Sequence, residues 1–477
     1  MNGETGRSNS WRRGGRWRTA VVVAGAAVLL PPSPALSDPD RSAHQPPGMS
    51  AAKPRAVVTW NSEWMYSHLA AHGSRDGRRL VSVWQATQNG GEGRTRLESA
   101  FSRDSGRTWR RRVLTSTGFA ENPQLAVSAD GRTATVVWAD YRGRLLARAS
   151  ADGGRTWDEV RDVSQRDTYD PVLHRVAASE DGVRVVVAWA ESDAELTDDG
   201  VPTQLSASAS SDGGRTWSVP QSVTTDFMDG PFALLVSPDG SRSAIAWKAG
   251  YPDFSLRVAS SSRRAPDWST PVDVAKNESR TVRSLRMGWA QRGNRLLLTW
   301  VVDEGGIVRS ATSADGGRSW APPQELFRRA GNVFLPGQPF LLRRGKKVSL
   351  ALLAGRSGHE SIWLTRSSDF GESFTSAERV LRLRDAAAID ARSMPLARSA
   401  DGRTLITAWP AANSHQLLAS RSIDGGKSWT TSLQQRRYTG EFPQLVVSRN
   451  GRAAAVVWHA TTLAPTWANR IEASRLR

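Results

Sequence analysis

Two short strings carry the side chains best suited to chemistry: Arg436-Arg437-Tyr438-Thr439-Gly440-Glu441 and Glu63-Trp64-Met65-Tyr66-Ser67-His68. In each, a glutamate near a tyrosine can take the phenol proton and ease attack by the phenolate. An arginine such as Arg437 can hold an acid substrate through paired hydrogen bonds. Asp170 supplies a carboxyl group for acid/base work. Pairs such as Glu121 with Asp170 or Glu191 offer the two carboxyls of an ordinary glycosidase, whose separation decides the stereochemistry.

Further acids and aromatics fall at repeated places in the chain. Glu121, Asp170, Asp229 and Glu441 each stand just ahead of a proline that marks strand entry, with Tyr169 beside Asp170. Asp140 and Tyr141 follow Trp138, and Glu191 follows Trp189. Aromatic faces stack on sugar C–H surfaces while carboxylates accept hydroxyl hydrogen bonds. Glu63, Tyr66, Glu121, Asp140, Tyr141, Tyr169, Glu191 and Asp229 are therefore the expected ligand-binding set, and Tyr438, Glu441, Arg437 and Asp170 the catalytic candidates. The histidines His68, His72, His174, His359, His415 and His459 lack the spacing of a zinc motif. No metal and no cofactor is expected.

The elements that must position these residues are repeats. The strings SRDSGRTW, SADGGRTW, SSDGGRTW, SADGGRSW and SIDGGKSW end at Trp109, Trp157, Trp217, Trp320 and Trp429, and decayed copies end at Trp268 and Phe374. A short polar side chain such as Asp152 can accept backbone N–H groups inside a tight turn, and Gly154 supplies the positive φ. Asp104, Asp152, Asp212, Asp315, Asp369 and Asp424 are read as structural. Between the copies runs a second repeat, a D-G or N-G turn followed by a β-rich run whose landmarks are Trp84, Trp138, Trp189, Trp247, Trp300, Leu352, Trp409 and Trp458.

The pattern S-x-D-x-G-x-[ST]-W resembles the Asp-box, or bacterial neuraminidase repeat, of sialidases and other secreted propellers, over residues 55 to 477. The resemblance implies an all-β propeller of four-stranded antiparallel blades. The eight landmark strands predict eight blades, with seven as the alternative, closed by Arg55–Trp60 completing the blade of the C-terminal strands. The resemblance also implies an arginine trio on a substrate carboxylate, a Tyr–Glu nucleophile pair and an acid/base aspartate. The family's first Arg-Ile-Pro motif is absent here.

Strand order puts the D-G turns and the repeat turns on one rim and the expected ligand-binding set on the other, around the central channel. A ring of cations at Arg107, Arg155, Arg215, Arg318 and Lys427 marks the first rim. The chain carries a formal charge of +18 and no cysteine. Arginines, then an apolar run from Thr19 to Leu30, then Ala35-Leu36-Ser37 predict a signal peptide over 1–37 and a flexible lead-in over 38–54. Export leaves a mature charge of +14, since 1–37 holds five Arg and one Glu. The expected partner is a glycan or cell-envelope polymer rather than nucleic acid, for which no recognition motif or basic helix is present. The expected molecule is a secreted monomer without a membrane span. Hydrolysis of a glycosidic bond and a protein–protein scaffold are the alternative functions.

Overall fold

The computed structural model describes residues 55–58, 64–88, 95–115, 118–165, 171–192, 202–228, 232–250, 254–263, 267–276, 278, 282–290, 294–302, 306–329, 332–334, 340–341, 346–356, 359–383, 395–410, 417–435, 439–461 and 469–476. The expected signal peptide and lead-in lie outside them.

Valine, alanine and tryptophan dominate the runs after each D-G turn. Such runs form strands that can be buried on both faces. In Val185–Ser192 the residues from Val185 to Ala190 are all buried. Each run becomes the second strand of an antiparallel sheet. Blade 1 comprises Trp64–Gly73, Leu80–Gln88, Thr95–Ser102 and Arg110–Val113 in that spatial order. The inner strands of blades 2 to 5 are Glu121–Val127, Pro171–Ala178, Ala233–Val236 and Val282–Trp289. Blade 6 divides its inner strand into Asn332–Phe334 and Phe340–Leu341, and blade 7 begins with Leu396–Arg398.

Blade 8 comprises Thr439–Val447, Ala454–Thr461 and Asn469–Arg475, and its outermost strand is Arg55–Val58 from the other end of the chain. The register Arg55↔Ala473 and Val58↔Ile471 fixes this closure. The chain is an eight-bladed β-propeller.

The core lies between blades. Trp84, Trp138, Trp189, Trp247, Trp300, Trp409 and Trp458 are each at most 1 % exposed, with Leu352 in the corresponding place in blade 6. Truncating such an aromatic costs about 3–5 kcal/mol. Two of the indoles also hold a carboxylate, which hydrogen-bonds the Trp Nε1–H in an otherwise dry layer: Glu98 for Trp84 and Glu191 for Trp189.

The D-G turns form a belt. The Arg449 N–H donates to the Arg75 carbonyl, Arg75 to Ala129, Ala129 to Glu180 and Glu180 to Pro238, while Ala400 donates to Arg449. Pro238 has no N–H, so the belt stops there in the forward direction. Each repeat turn is pinned to the D-G turn or its counterpart in the same blade, through Ser105 to Arg78, Gly153 to Arg132, Gly213 to Val183, Arg263 to Ser241, Gly316 to Asn294, Phe370 to Lys346 and Gly425 to Arg403. Arg263 stands where the other copies have aspartate. A main-chain N–H makes the bond there too, one place earlier in the turn than in the other copies.

Candidate functional site at the channel mouth

The repeat turns use their aspartates internally. Asp152 Oδ1 accepts the Arg155 and Thr156 N–H groups and the Ser150 hydroxyl, while Oδ2 accepts the Thr156 hydroxyl. Asp104 and Asp212 repeat these contacts. At Asp315 partial burial raises the carboxyl pKa, and hydrogen bonds from Ser319, Ser313 and Arg318 outweigh it, bringing it to about 2. A carboxylate saturated with donors and strongly ionised is a poor proton carrier. Chemistry belongs elsewhere, which directs attention to the opposite rim.

On that rim Asp140 is also internally committed. It accepts the backbone N–H groups of Arg142 and Arg144 and both Nε and Nη2 of the Arg144 side chain. Tyr141, at the tip of the same loop, is 58 % exposed and its hydroxyl accepts from Arg142 Nε at 2.7 Å. Tyr66 is 3 % exposed and packs edge-on to Trp84 with ring centroids 6.3 Å apart. Burial raises its pKa, and the Glu98 charge adds to that. Glu98 itself is buried, paired with Arg96 and Arg111. Glu191 is 6 % exposed and accepts the Trp189 indole N–H at 2.5 Å. Tyr66 and Glu191 thus sit in the core instead of on the rim surface.

Glu121 is exposed and opens the inner strand of blade 2, next to Asn122 at φ 50°. A β-bulge lies between Glu121 and Gln124, and the inner strand of blade 1 bulges likewise between Ser67 and Ala70, with His68 at φ 49°. His68 and Asn122 occupy equivalent places, six residues before Ser74 and Ser128 of their D-G turns. Bulges and left-handed backbone at non-glycine residues re-aim side chains and mark functional rims. Burial lowers the His68 pKa, partly offset by the Glu121 charge across the blade boundary. In blade 8 Glu441 takes the register place of Glu121, with a bulge between Glu441 and Gln444. Of the expected residues, Glu63, Tyr169, Asp170, Asp229, Arg437 and Tyr438 lie outside the described residues.

Deeper in the channel the inner strands place two arginines at one register. Arg175 in blade 3 stands four residues before Ser179, and Arg286 in blade 5 stands four before Ala290, its counterpart at the end of the strand. Each folds one nitrogen back onto the preceding carbonyl, Arg175 Nη1 onto His174 at 3.0 Å and Arg286 Nη1 onto Leu285 at 3.0 Å. Neither forms a salt bridge among the described residues. Arg175 lies over the Phe232 ring, 5.9 Å from its centroid. Burial lowers the pKa of both guanidiniums, and the charge of Arg175 lowers that of Arg286 further.

The same register holds Ala70, Gln124, Ala233, Pro395 and Gln444 in blades 1, 2, 4, 7 and 8. Small side chains leave room between the arginines, and no acid occupies the layer in these blades. His174, next to Arg175, is buried with Nε2 unpartnered. Burial and then the Arg175 charge take its pKa to about 4, so it is neutral at neutral pH. Among the described residues of this layer, no carboxylate neutralises these donors.

Among known proteins, no family model matches the chain and no curated protein does. Similar solved structures include a PL25 ulvan lyase, a polysaccharide lyase, at 12 % identity over 74 % of this chain and 93 % of that one, TM-score 0.48. A GH74 enzyme from Niastella koreensis has 16 % identity over 84 % of this chain and 64 % of its own, TM-score 0.36. A NanB sialidase from Streptococcus pneumoniae has 12 % identity over 87 % and 68 %, TM-score 0.36. Identities and TM-scores of this size transfer neither residues nor substrate.

Sequence reasoning passed over Arg175 and Arg286 because each sits inside an apolar strand, in HRVAAS and LRMGWA. Their signal was the shared offset from the end of the inner strand in two blades.

Proposed function

We propose that this propeller binds an acidic glycan or cell-envelope polymer at the channel mouth opposite the repeat turns. The observation that carries the reading is the Arg175 and Arg286 pair, two partly buried guanidiniums in one channel layer without a carboxylate partner among the described residues. Buried cations left unpaired are costly unless a ligand supplies the counter-charge. A carboxylate or ester oxyanion supplies it, with geometry matched to the planar guanidinium fork. We place access at the mouth that carries Glu121, His68 and Tyr141, because on the other side the turns of blades 7, 8, 1, 2, 3 and 4 are joined one to the next by backbone hydrogen bonds. Tyr141 adds an exposed ring on which a sugar face can stack. The leader read at residues 1–37 would deliver the protein to such polymers outside the cytoplasm.

The test is calorimetric titration with oligogalacturonate and with a neutral oligosaccharide of equal length, on the wild type, Arg175→Gln and Arg286→Gln. Each substitution removes a charge-assisted contact worth about 1.5–3 kcal/mol, so affinity for the acidic ligand falls about 10- to 150-fold. Equal affinity of both variants and the wild type would refute the reading. Turnover of an aryl glycoside, abolished by Tyr438→Phe or Glu441→Gln, would replace binding with hydrolysis as the function.

A further inference from the structure

The rim that carries the repeat turns has its own electrostatic asymmetry, distinct from the channel. Successive D-G turns are joined by the Arg449 to Arg75 and Arg75 to Ala129 hydrogen bonds, so blades 8, 1 and 2 present three adjacent turns. These turns carry Arg449 and Arg452, then Arg75, Arg78 and Arg79, then Arg132. The acids among them are Asp76 and Asp130, each holding its own turn: Asp76 Oδ1 accepts from Ser74 Oγ and Arg78 N, and Asp130 Oδ1 from Ser128 Oγ and Arg132 N. In blade 8 the turn residue is Asn450. It makes the same two contacts, from Ser448 Oγ and Arg452 N, without a charge. The arc ends at blade 3, where Glu180 pairs with Arg75.

Between the turns of blades 1 and 2 lies an open cavity of about 530 Å³ lined by Arg75, Arg78, Arg79, Arg103 and Arg132 with Asp76 and Asp130. Two of these arginines are fixed through main-chain carbonyls: Arg79 Nη1 donates to Asp130 and Arg103 Nη2 to Asp152, at 3.1 and 3.2 Å. Guanidiniums held by carbonyls keep their charge and their remaining N–H donors, which a carboxylate partner would have neutralised. Arg78 is exposed, with no salt bridge among the described residues, and Arg132 pairs with Asp130 only at 3.9 Å, with its side chain 66 % exposed. Along the outer edge of the same blade, Arg110 and Arg112 continue the positive charge.

We infer that this cavity and arc form a second binding surface, which docks an extended polyanion bearing phosphate or sulfate groups. An arc of cations over three blades fits a polymer with repeated charges better than a single small anion. Planar guanidinium forks fit tetrahedral oxyanions through two parallel hydrogen bonds. Binding of this kind releases counterions, so affinity falls linearly on a logarithmic salt scale with a slope set by the number of charges engaged.

The experiment measures binding of inorganic polyphosphate, dextran sulfate, neutral dextran and an oligothymidylate by fluorescence anisotropy across a salt series. It compares the wild type, Arg78→Gln/Arg132→Gln and Arg175→Gln/Arg286→Gln, each first shown to melt like the wild type. The expected result is salt-dependent binding of polyphosphate, dextran sulfate or both, and none of neutral dextran. A preference between these two polymers identifies the source of the anion. In the rim variant the affinity falls on the order of tenfold at physiological salt and the salt slope drops by about 1.5, at roughly 0.7 per contact. The rim variant keeps the wild-type affinity for oligogalacturonate, which the channel variant loses, and this separates the surface from the channel reading. Unchanged slope and affinity in the rim variant, or tighter binding of the oligothymidylate than of polyphosphate or dextran sulfate, would overturn the inference.

Discussion

Substituting Val57 by aspartate tests the closure of the ring at its weakest point. Val57 is 8 % exposed and lies in a cluster with Tyr66, Leu69 and Trp84 of blade 1 and with Val457 and Ile471 of blade 8. Full burial of a valine contributes about 1.5–3 kcal/mol. The substitution forfeits that and forces a carboxylate into an apolar cluster, at a further cost of several kcal/mol if the strand stays in place. Arg55–Val58 is four residues long, pairs on one side only, and belongs to the chain end. Releasing it loses a few ladder hydrogen bonds worth about 1 kcal/mol each and regains about 1–2 kcal/mol of backbone entropy per residue. Detachment is therefore the cheaper response, and it caps the destabilisation at a few kcal/mol. Amide hydrogen exchange followed by mass spectrometry is the assay. Protection should be lost over 55–58 and weakened over Asn469–Arg475, while Val185–Ser192 of blade 3 stays protected. Unchanged protection at Asn469–Arg475 would refute the closure argument, as would a uniform loss in all blades.

Three other outcomes follow from the turns and the core. The repeat-turn aspartates have carboxyl pKa values held below the ordinary 3.8, at Asp315 about 2, so the stability they add is complete above pH 3.8 and lost as pH falls towards 2. Melting temperature against pH should fall through that window and less steeply in Asp315→Asn, the turn contributing roughly 1–2 kcal/mol after discounting its exposure; parallel curves would contradict this. Gly214→Ala places a Cβ 2.8 Å from Thr135 Cγ2 at φ +94°, and should cost about 2–4 kcal/mol in urea denaturation, whereas a neutral change would show that the turn can shift. Glu98→Gln leaves the Trp84 indole and the Arg96 and Arg111 guanidiniums with a neutral partner, and should destabilise by about 2–4 kcal/mol with Trp fluorescence altered; an unchanged melt would place the cluster outside the stabilising core.

The sequence by itself determined the architecture, since its determinants are local and repeated. In blades 1, 2, 3, 4 and 7 the D-G turn closes through its own serine and aspartate, and in every blade a landmark Trp or Leu follows the turn glycine at a fixed distance, so counting landmarks counts blades. Even the closure was legible, because RAVVTW lies where a missing outer strand had to come from. Residues around the channel were read less well, because their roles depend on which blades meet. Tyr66 and Glu191 have the composition of a sugar-binding rim, and only the packing of blades 1 and 3 decided that one lies on Trp84 and the other holds Trp189. Arg175 and Arg286 are 111 positions apart in the chain. Their meeting in one channel layer follows from the curvature that brings blades 3 and 5 to either side of Ala233. No local pattern encodes that juxtaposition, because ring closure creates it.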